Sequence, residues 1–138
     1  MSKKKPTKIP KWLKQYRKKV KTALGLDAWE VNFTVDHLDP NDDAQVLGTC
    51  NANPGYLSAE VVFHLPHVLE PTVDAKVTVI HELLHVALAR TKRVTQNWRD
   101  DGIKKPFDKI FSYHYEDAEE ETVTRLSRAL RPLIERMP

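Results

Sequence analysis

Two histidines and a glutamate stand together in the segment HELLH at positions 81–85. In a helix, residues four apart lie one above the other, so His81 and His85 can bind the same metal ion. Glu82 then lies close enough to take a proton from a metal-bound water. The flanking residues are mostly valine, isoleucine, leucine and alanine, a costly environment for three polar side chains without a function. The segment predicts a metal site with His81 and His85 as ligands and Glu82 as the catalytic base.

A catalytic zinc ion needs a third protein ligand and an open position for water. The longer motif that adds a glycine and a third histidine is missing, since Leu88 and Thr91 stand at those positions. The acidic beginning of the last predicted helix offers alternatives. Glu120 stands three residues before Val123 and six before Leu126, on the inward side of that helix. The other candidates are Glu119, which also faces inward, Glu116 and His114, whereas Glu121 is rotated away.

Length and composition indicate one compact domain. The chain has 138 residues, 41% hydrophobic and 30% charged, enough to bury its own core. No apolar run approaches the roughly 20 residues of a membrane span, and no signal peptide is apparent. The single cysteine, Cys50, cannot form an internal disulfide, and without a charged neighbour in sequence it suits a buried, inert thiol. We therefore expect a cytoplasmic protein.

The first 21 residues carry the excess positive charge. They contain ten basic side chains and no acidic one, whereas the rest of the chain has 12 basic and 19 acidic residues. Apolar residues recur at helical spacing between Pro10 and Gly25, which predicts a basic amphipathic helix or arm over residues 1–25. That helix would dock on a single domain over residues 26–138. Its charges would either face solvent or contact nucleic acid through residues 1–21.

The remaining pattern is that of an α+β protein. Alternating residues predict strands at 28–38, 44–52 and 56–65, and their short connections favour a largely antiparallel sheet. A central helix that contains HELLH follows, with Asp74 or Thr72 as its N-cap. Residues 91–115 give mixed signals and are expected to be an irregular connection, which at that length is functional or contains a short helix. A C-terminal helix begins near Glu116, presents Val123, Leu126, Leu130 and Ile134, and ends or kinks near Leu130 because of Pro132.

The segments TVIHELLHVALA and EEETVTRLSRAL resemble those of small zinc metallopeptidase domains encoded in phages and prophages. More broadly, residues 28–131 are similar to the minimal zincins with a glutamate as third ligand, which include the ImmA/IrrE-type peptidases. The resemblance implies zinc bound by His81, His85 and Glu120, in a bacterial, phage or prophage protein. It also implies that a substrate peptide adds to an edge strand, matched in order by residues 56–65, with Tyr56, Ser58, Glu60 and Val62.

The implied function is a zinc-dependent endopeptidase acting on a cytoplasmic protein. Glu82 would accept a proton from the zinc-bound water, and a second donor would stabilise the oxyanion. Candidates for that donor are Tyr113, His114 and Tyr115. Zinc is inferred from the ligand types, which also suit manganese, cobalt or nickel. The alternative function is a zinc-binding nucleic-acid-associated or interaction module with little hydrolysis, in which Glu82 would have no role.

Overall fold

The computed structural model describes residues 7–40, 44–102 and 105–138, and for residues 94–102 and 105–114 it describes the helical backbone only. The described chain is a mixed α+β structure of four helices and a three-stranded sheet. In chain order the elements are α1 (Lys11–Ala23), β1 (Glu30–Asp36), β2 (Gly48–Asn53), β3 (Ser58–His64), α2 (Leu65–Val68), α3 (Val73–Gly102) and α4 (Lys105–Glu135).

The strand order is β1-β3-β2, so the last strand in the chain lies in the centre. Phe33 of β1 lies opposite Val61 in a parallel pair, and Cys50 of β2 lies opposite the same residue in an antiparallel pair. The predicted antiparallel pairing is therefore wrong for β1, which lies parallel to β3. Strand β3 is the most deeply buried of the three, with Val61 and Phe63 inaccessible to solvent, whereas the polar β2 suits an edge. Residues 37–47 are long enough to carry the chain past the position of β3.

One face of the sheet is covered by helices. Side chains alternate along β3, so Ala59, Val61 and Phe63 point into the core while Glu60 points to solvent. Helices α1 and α3 supply the opposing layer, and α3 also packs against β2 and α4. The buried residues of α3 include Val79, Ile80, Leu83 and Val86, each of them fully inaccessible. Helix α3 is thus the central element of the fold, as its apolar sequence predicts.

Helix α1 is part of the same core. Leu13 and Val20 are fully buried, and the indole N–H of Trp12 donates to the carbonyl of Val68 at 2.8 Å. The helix ends in a Schellman motif, in which Leu26 N–H donates to the Lys21 carbonyl at 2.9 Å. Gly25 occupies the left-handed position of this motif with φ of 71°. The apolar stripe of the basic segment is therefore used for packing within the chain.

Tyr16 on α1 carries a buried hydroxyl with no hydrogen-bond partner among the described residues. Burial raises the pKa of this phenol to about 12, and the Glu135 carboxylate adds to the shift. Because an unpaired buried hydroxyl loses its hydration without compensation, Tyr16→Phe is expected to raise the free energy of unfolding by about 1 kcal/mol. Urea denaturation of both proteins would measure the difference. A loss of stability would instead show that the hydroxyl has a partner.

The two long helices extend through the segment predicted to be irregular. Helix α3 continues to Gly102 and α4 begins at Lys105, so only residues 103–104 of the junction lie outside the described structure. Thr72, rather than Asp74, caps α3, since its hydroxyl accepts from the N–H of Ala75 at 3.1 Å. None of the helices in the described ranges combines the length and apolar character needed to cross a membrane.

Helix α4 also differs from its prediction at its C-terminal end. It continues to Glu135 with Pro132 inside, so the missing N–H of Pro132, which removes one hydrogen bond to the carbonyl four residues earlier, does not end the helix. Leu126 is 40% exposed, and fully buried Ser127 takes its predicted place beside Val123. The Ser127 hydroxyl donates to the carbonyl of Thr124 at 2.9 Å, which satisfies it in the core.

Candidate metal centre

The HELLH segment lies in the middle of α3, where burial fixes the direction of each side chain. Leu83 and Leu84 pack into the core. His81 and His85 consequently project from the opposite side, one turn apart, with their ring centroids 4.9 Å from each other. Helix α4 packs along this part of α3 and brings its acidic residues to the two imidazoles.

Three side chains converge on one point: His81, His85 and Glu120. The Nε2 atoms of the two histidines are 3.2 Å apart. Glu120 places Oε2 3.2 Å from Nε2 of His81 and Oε1 2.7 Å from Nε2 of His85. The structure thus brings together the two histidines of the motif and the glutamate that helical periodicity favoured as third ligand. This group could hold a metal ion.

The spacing of these atoms fits the tetrahedral coordination of one metal ion. With metal–ligand distances of about 2.1 Å, the ligand atoms of a tetrahedral site lie about 3.4 Å apart. The observed separations of 2.7–3.2 Å need only small adjustments of side-chain torsions. Two imidazoles and one carboxylate are also the ligand set of catalytic zinc sites that keep their fourth position open. The side chain of Glu120 is 58% exposed, so the cluster is accessible from outside.

Glu119 orients His85 by contacting the ring nitrogen that does not face the cluster. Its carboxylate is 8% exposed and lies 3.3 Å from Nδ1 of His85. A hydrogen bond from Nδ1–H to this carboxylate leaves the lone pair of Nε2 free to bind a metal. The side chain predicted as an alternative ligand is therefore placed as a supporting residue. Glu121 points away, as predicted, and pairs with Arg125.

Burial favours the forms of His81 and Glu82 that carry no charge. Desolvation lowers the pKa of His81, the Glu120 carboxylate opposes this shift, and the neighbouring His85 adds to it. Glu82 is 7% exposed, and burial, with a contribution from Glu120, raises its pKa to about 7. Such a carboxyl can accept and release a proton near neutral pH, which is what a general base requires.

Gly48 makes room for Glu82, a role that the sequence analysis missed. A Cβ atom at this position of β2 would lie 3.0 Å from both Cγ and Oε1 of Glu82. The carboxyl of Glu82 therefore packs directly on the backbone of β2. A glycine within a predicted strand is the signal for such a close approach, although it does not reveal the partner.

A groove of about 800 Å³ runs between β2 and α3, and at one end it contains His81, His85 and Glu120, the candidate metal-ligand cluster. The whole of β2 lines it, together with residues from α3 and α4. No protein-family model, curated protein or solved structure matches the chain. The chemistry of this site must therefore be inferred from its own geometry.

The predicted substrate strand is placed elsewhere. Residues 58–64 form β3, which is paired on both sides, so its backbone cannot accept a further strand. Glu60 lies on the face of the sheet away from the helices, and Tyr56 is 84% exposed in the turn before β3. Ser58 and Val62 share the outer face with Glu60. The prediction that residues 56–65 form an edge strand is wrong, because β3 is the central strand of the sheet.

The three candidate oxyanion donors lie near the beginning of α4. The side chains of Tyr113 and His114 are outside the described residues. Tyr115 is half-buried and is not among the described residues that line the groove. Glu116, the remaining candidate ligand, is exposed and does not belong to the cluster.

Cys50 is half-buried on β2 and lines the groove. Burial, together with the Glu82 carboxylate, raises the pKa of its thiol to about 12, and Lys92 opposes this shift. Because the thiolate is the reactive form, iodoacetamide at pH 8 is expected to modify the folded, metal-free protein about 50-fold or more slowly than the urea-unfolded chain. Mass spectrometry of timed samples would measure both rates. Equal rates would show that the thiol is accessible and ionises normally.

Proposed function

We propose that the protein is a zinc-dependent metallopeptidase that hydrolyses peptide bonds of a cytoplasmic protein substrate. The observation that carries this proposal is the position of Glu82. Its buried carboxyl lies beside an accessible His81, His85 and Glu120 cluster at the end of a groove. A purely structural zinc site closes all four positions with protein ligands and has no use for an adjacent base.

In this proposal each side chain has a distinct task. His81, His85 and Glu120 hold the zinc ion, which when bound would supply Lewis-acid activation of water and of the substrate carbonyl. Glu82 accepts the proton of the attacking water and passes it to the nitrogen of the leaving amine. Glu119 keeps the imidazole of His85 in the orientation and tautomer that binding requires.

We further propose that the substrate backbone lies along β2. This strand is at the edge of the sheet, and it lines the groove that leads to His81 and His85. An edge strand offers unpaired N–H and C=O groups to an extended peptide, whose alternate side chains would then point into the groove. β2 thus takes the role that the resemblance to zincins led us to expect of residues 56–65.

The alternative, a zinc-binding module associated with nucleic acid, rests on the basic segment. In the described part of that segment, one face of the helix packs in the core through Leu13, Tyr16 and Val20. The opposite face exposes Lys11, Lys14 and Lys18. Exposed lysines opposite a packed face are common on amphipathic helices and do not by themselves indicate a ligand. The geometry around Glu82 therefore favours hydrolysis.

Hydrolysis can be tested without knowing the natural substrate. The zinc-loaded protein is incubated with a pool of fluorescence-quenched random peptides, and the release of fluorescence is followed. We expect cleavage that 1,10-phenanthroline abolishes and added zinc restores. Cleavage that persists with the chelator would come from a contaminating protease. Binding of zinc without hydrolysis of the pool or of unfolded casein would instead favour the alternative module.

A further inference from the structure

The face of α3 that carries the metal ligands continues beyond them. Ala89 lies one turn after His85 and is buried at the floor of the groove. Lys92 and Arg93 follow in the next turn and also line the groove. With a rise of 1.5 Å per residue, they lie about 10–12 Å along the helix from His85. The groove therefore has one end with basic side chains and another end with the candidate metal ligands.

The structure places both basic side chains against β2 and the turn after it. Nη1 of Arg93 lies 2.7 Å from the position that a Cβ atom would take on Gly55, so the guanidinium rests on the bare backbone there. The N–H of Gly55 donates to Oδ1 of Asn53, which holds this turn in place. Lys92 lies close enough to Cys50, in the middle of β2, to oppose the rise of its pKa.

These two cations are not neutralised within the described structure. Neither forms an ion pair with a described carboxylate. The acidic residues that line the groove are at the other end: Glu120 belongs to the cluster with His81 and His85, Glu119 contacts His85, and Glu82 is the neighbour of His81 in the sequence. An anionic group that enters the basic end would thus find two donors that have no carboxylate partner among the described residues, one of them a planar guanidinium suited to a carboxylate.

We propose that Lys92 and Arg93 form a subsite for an aspartate or glutamate side chain of the peptide that is cut. This inference rests on the proposed function and specifies its substrate class. An extended peptide advances about 3.3 Å per residue, so 10–12 Å corresponds to three or four residues from the cleaved bond. Beyond His81, a second cavity of about 500 Å³ has charges of both signs, Asp74 and Arg128. The acidic preference should therefore exist on one side of the cut only.

The test uses the full-length zinc-loaded protein and a pool of random peptides. In the first arm the active protein cleaves the pool, and the products are sequenced. In the second arm Glu82→Gln protein is immobilised, and the peptides it retains are sequenced. We expect aspartate and glutamate to be enriched about tenfold over asparagine and glutamine, at one position three or four residues from the cut in the first arm.

Charge reversal supplies the control. In the Lys92→Glu, Arg93→Glu double variant, the acidic preference should vanish or change to lysine and arginine. Arg90→Glu alters the same helix at an exposed position outside the groove and should leave the preference unchanged. Lys92→Gln with Arg93→Gln should give an intermediate result, and circular dichroism checks that each variant folds.

The two arms separate the failure of the subsite from that of the peptidase. If no peptide is cleaved but acidic peptides are retained, and if charge reversal abolishes this retention, the peptidase function is contradicted and the subsite is supported. The proposed subsite would be overturned if protein with Lys92 and Arg93 intact retained or cleaved peptides that carry aspartate or glutamate no better than peptides that carry asparagine or glutamine. It would also be overturned if the acidic preference survived charge reversal, or if no peptide were retained.

Discussion

The Glu82→Gln protein is expected to bind one zinc ion per chain and to cleave peptides about 10²–10⁴-fold more slowly than the unaltered protein. An amide has nearly the shape of the carboxyl but cannot accept the proton of the attacking water. Glu82 is not part of the His81, His85 and Glu120 cluster, so metal binding should survive. Elemental analysis would give the zinc content, and hydrolysis of the quenched peptide pool would give the rate.

The stability of the Glu82→Gln protein shows whether a loss of activity comes from the chemical step or from misfolding. Because burial disfavours the charged carboxylate of Glu82, its amide should leave the metal-free protein at least as stable at pH 8. Glu60→Gln, on the outer face of β3, is the matched control and should keep full activity. Undiminished hydrolysis by Glu82→Gln would show that another group is the base, and the proposed mechanism would fail.

Replacing three neighbouring acids of α4 one at a time is expected to give three different zinc affinities. Glu120→Gln removes a ligand and should weaken binding by about 100-fold or more, whereas Glu119→Gln, which alters only the support of His85, should weaken it about 10–100-fold. Glu121→Gln should have no effect, because this exposed side chain pairs only with Arg125 among the described residues. Competition with a fluorescent zinc chelator would measure all three.

Thermal unfolding offers a second measure of the same series. At a zinc concentration 100 times the dissociation constant, binding should stabilise the folded protein by about 2.7 kcal/mol. This increment should nearly disappear in Glu120→Gln at the same zinc concentration and persist in Glu121→Gln. If Glu119→Gln proved more damaging than Glu120→Gln, the third ligand would be Glu119, and the two side chains would exchange roles.

Sequence patterns predicted the structure best where they relate residues that are close together in the chain. The i, i+4 spacing placed His81 and His85 on one face of α3, and helical periodicity singled out Glu120 while turning Glu121 outward. Capping glycine and the apolar stripe likewise predicted α1 and its end at Gly25. These inferences succeed because helical geometry alone relates residues a few positions apart.

Features that join distant segments were decided by tertiary structure. Nothing in the strand patterns reveals that β3 lies between β1 and β2, since alternation predicts a buried face but not a neighbour. The same limitation led to the wrong expectation that residues 56–65 form an edge strand. It also concealed the contact of Gly48 with Glu82 and the position of Arg93 over Gly55.

The sequence by itself thus determined the chemistry available to this protein, a pair of imidazoles with a carboxylate beside them and acids on a second helix. Tertiary packing decided how that chemistry is arranged. It made Glu120 converge with the histidines and Glu119 support one of them, and it set β2 along the groove. The physical reason is that side-chain direction within a helix follows from local geometry, whereas the choice of neighbours depends on how the whole core minimises its exposed apolar surface.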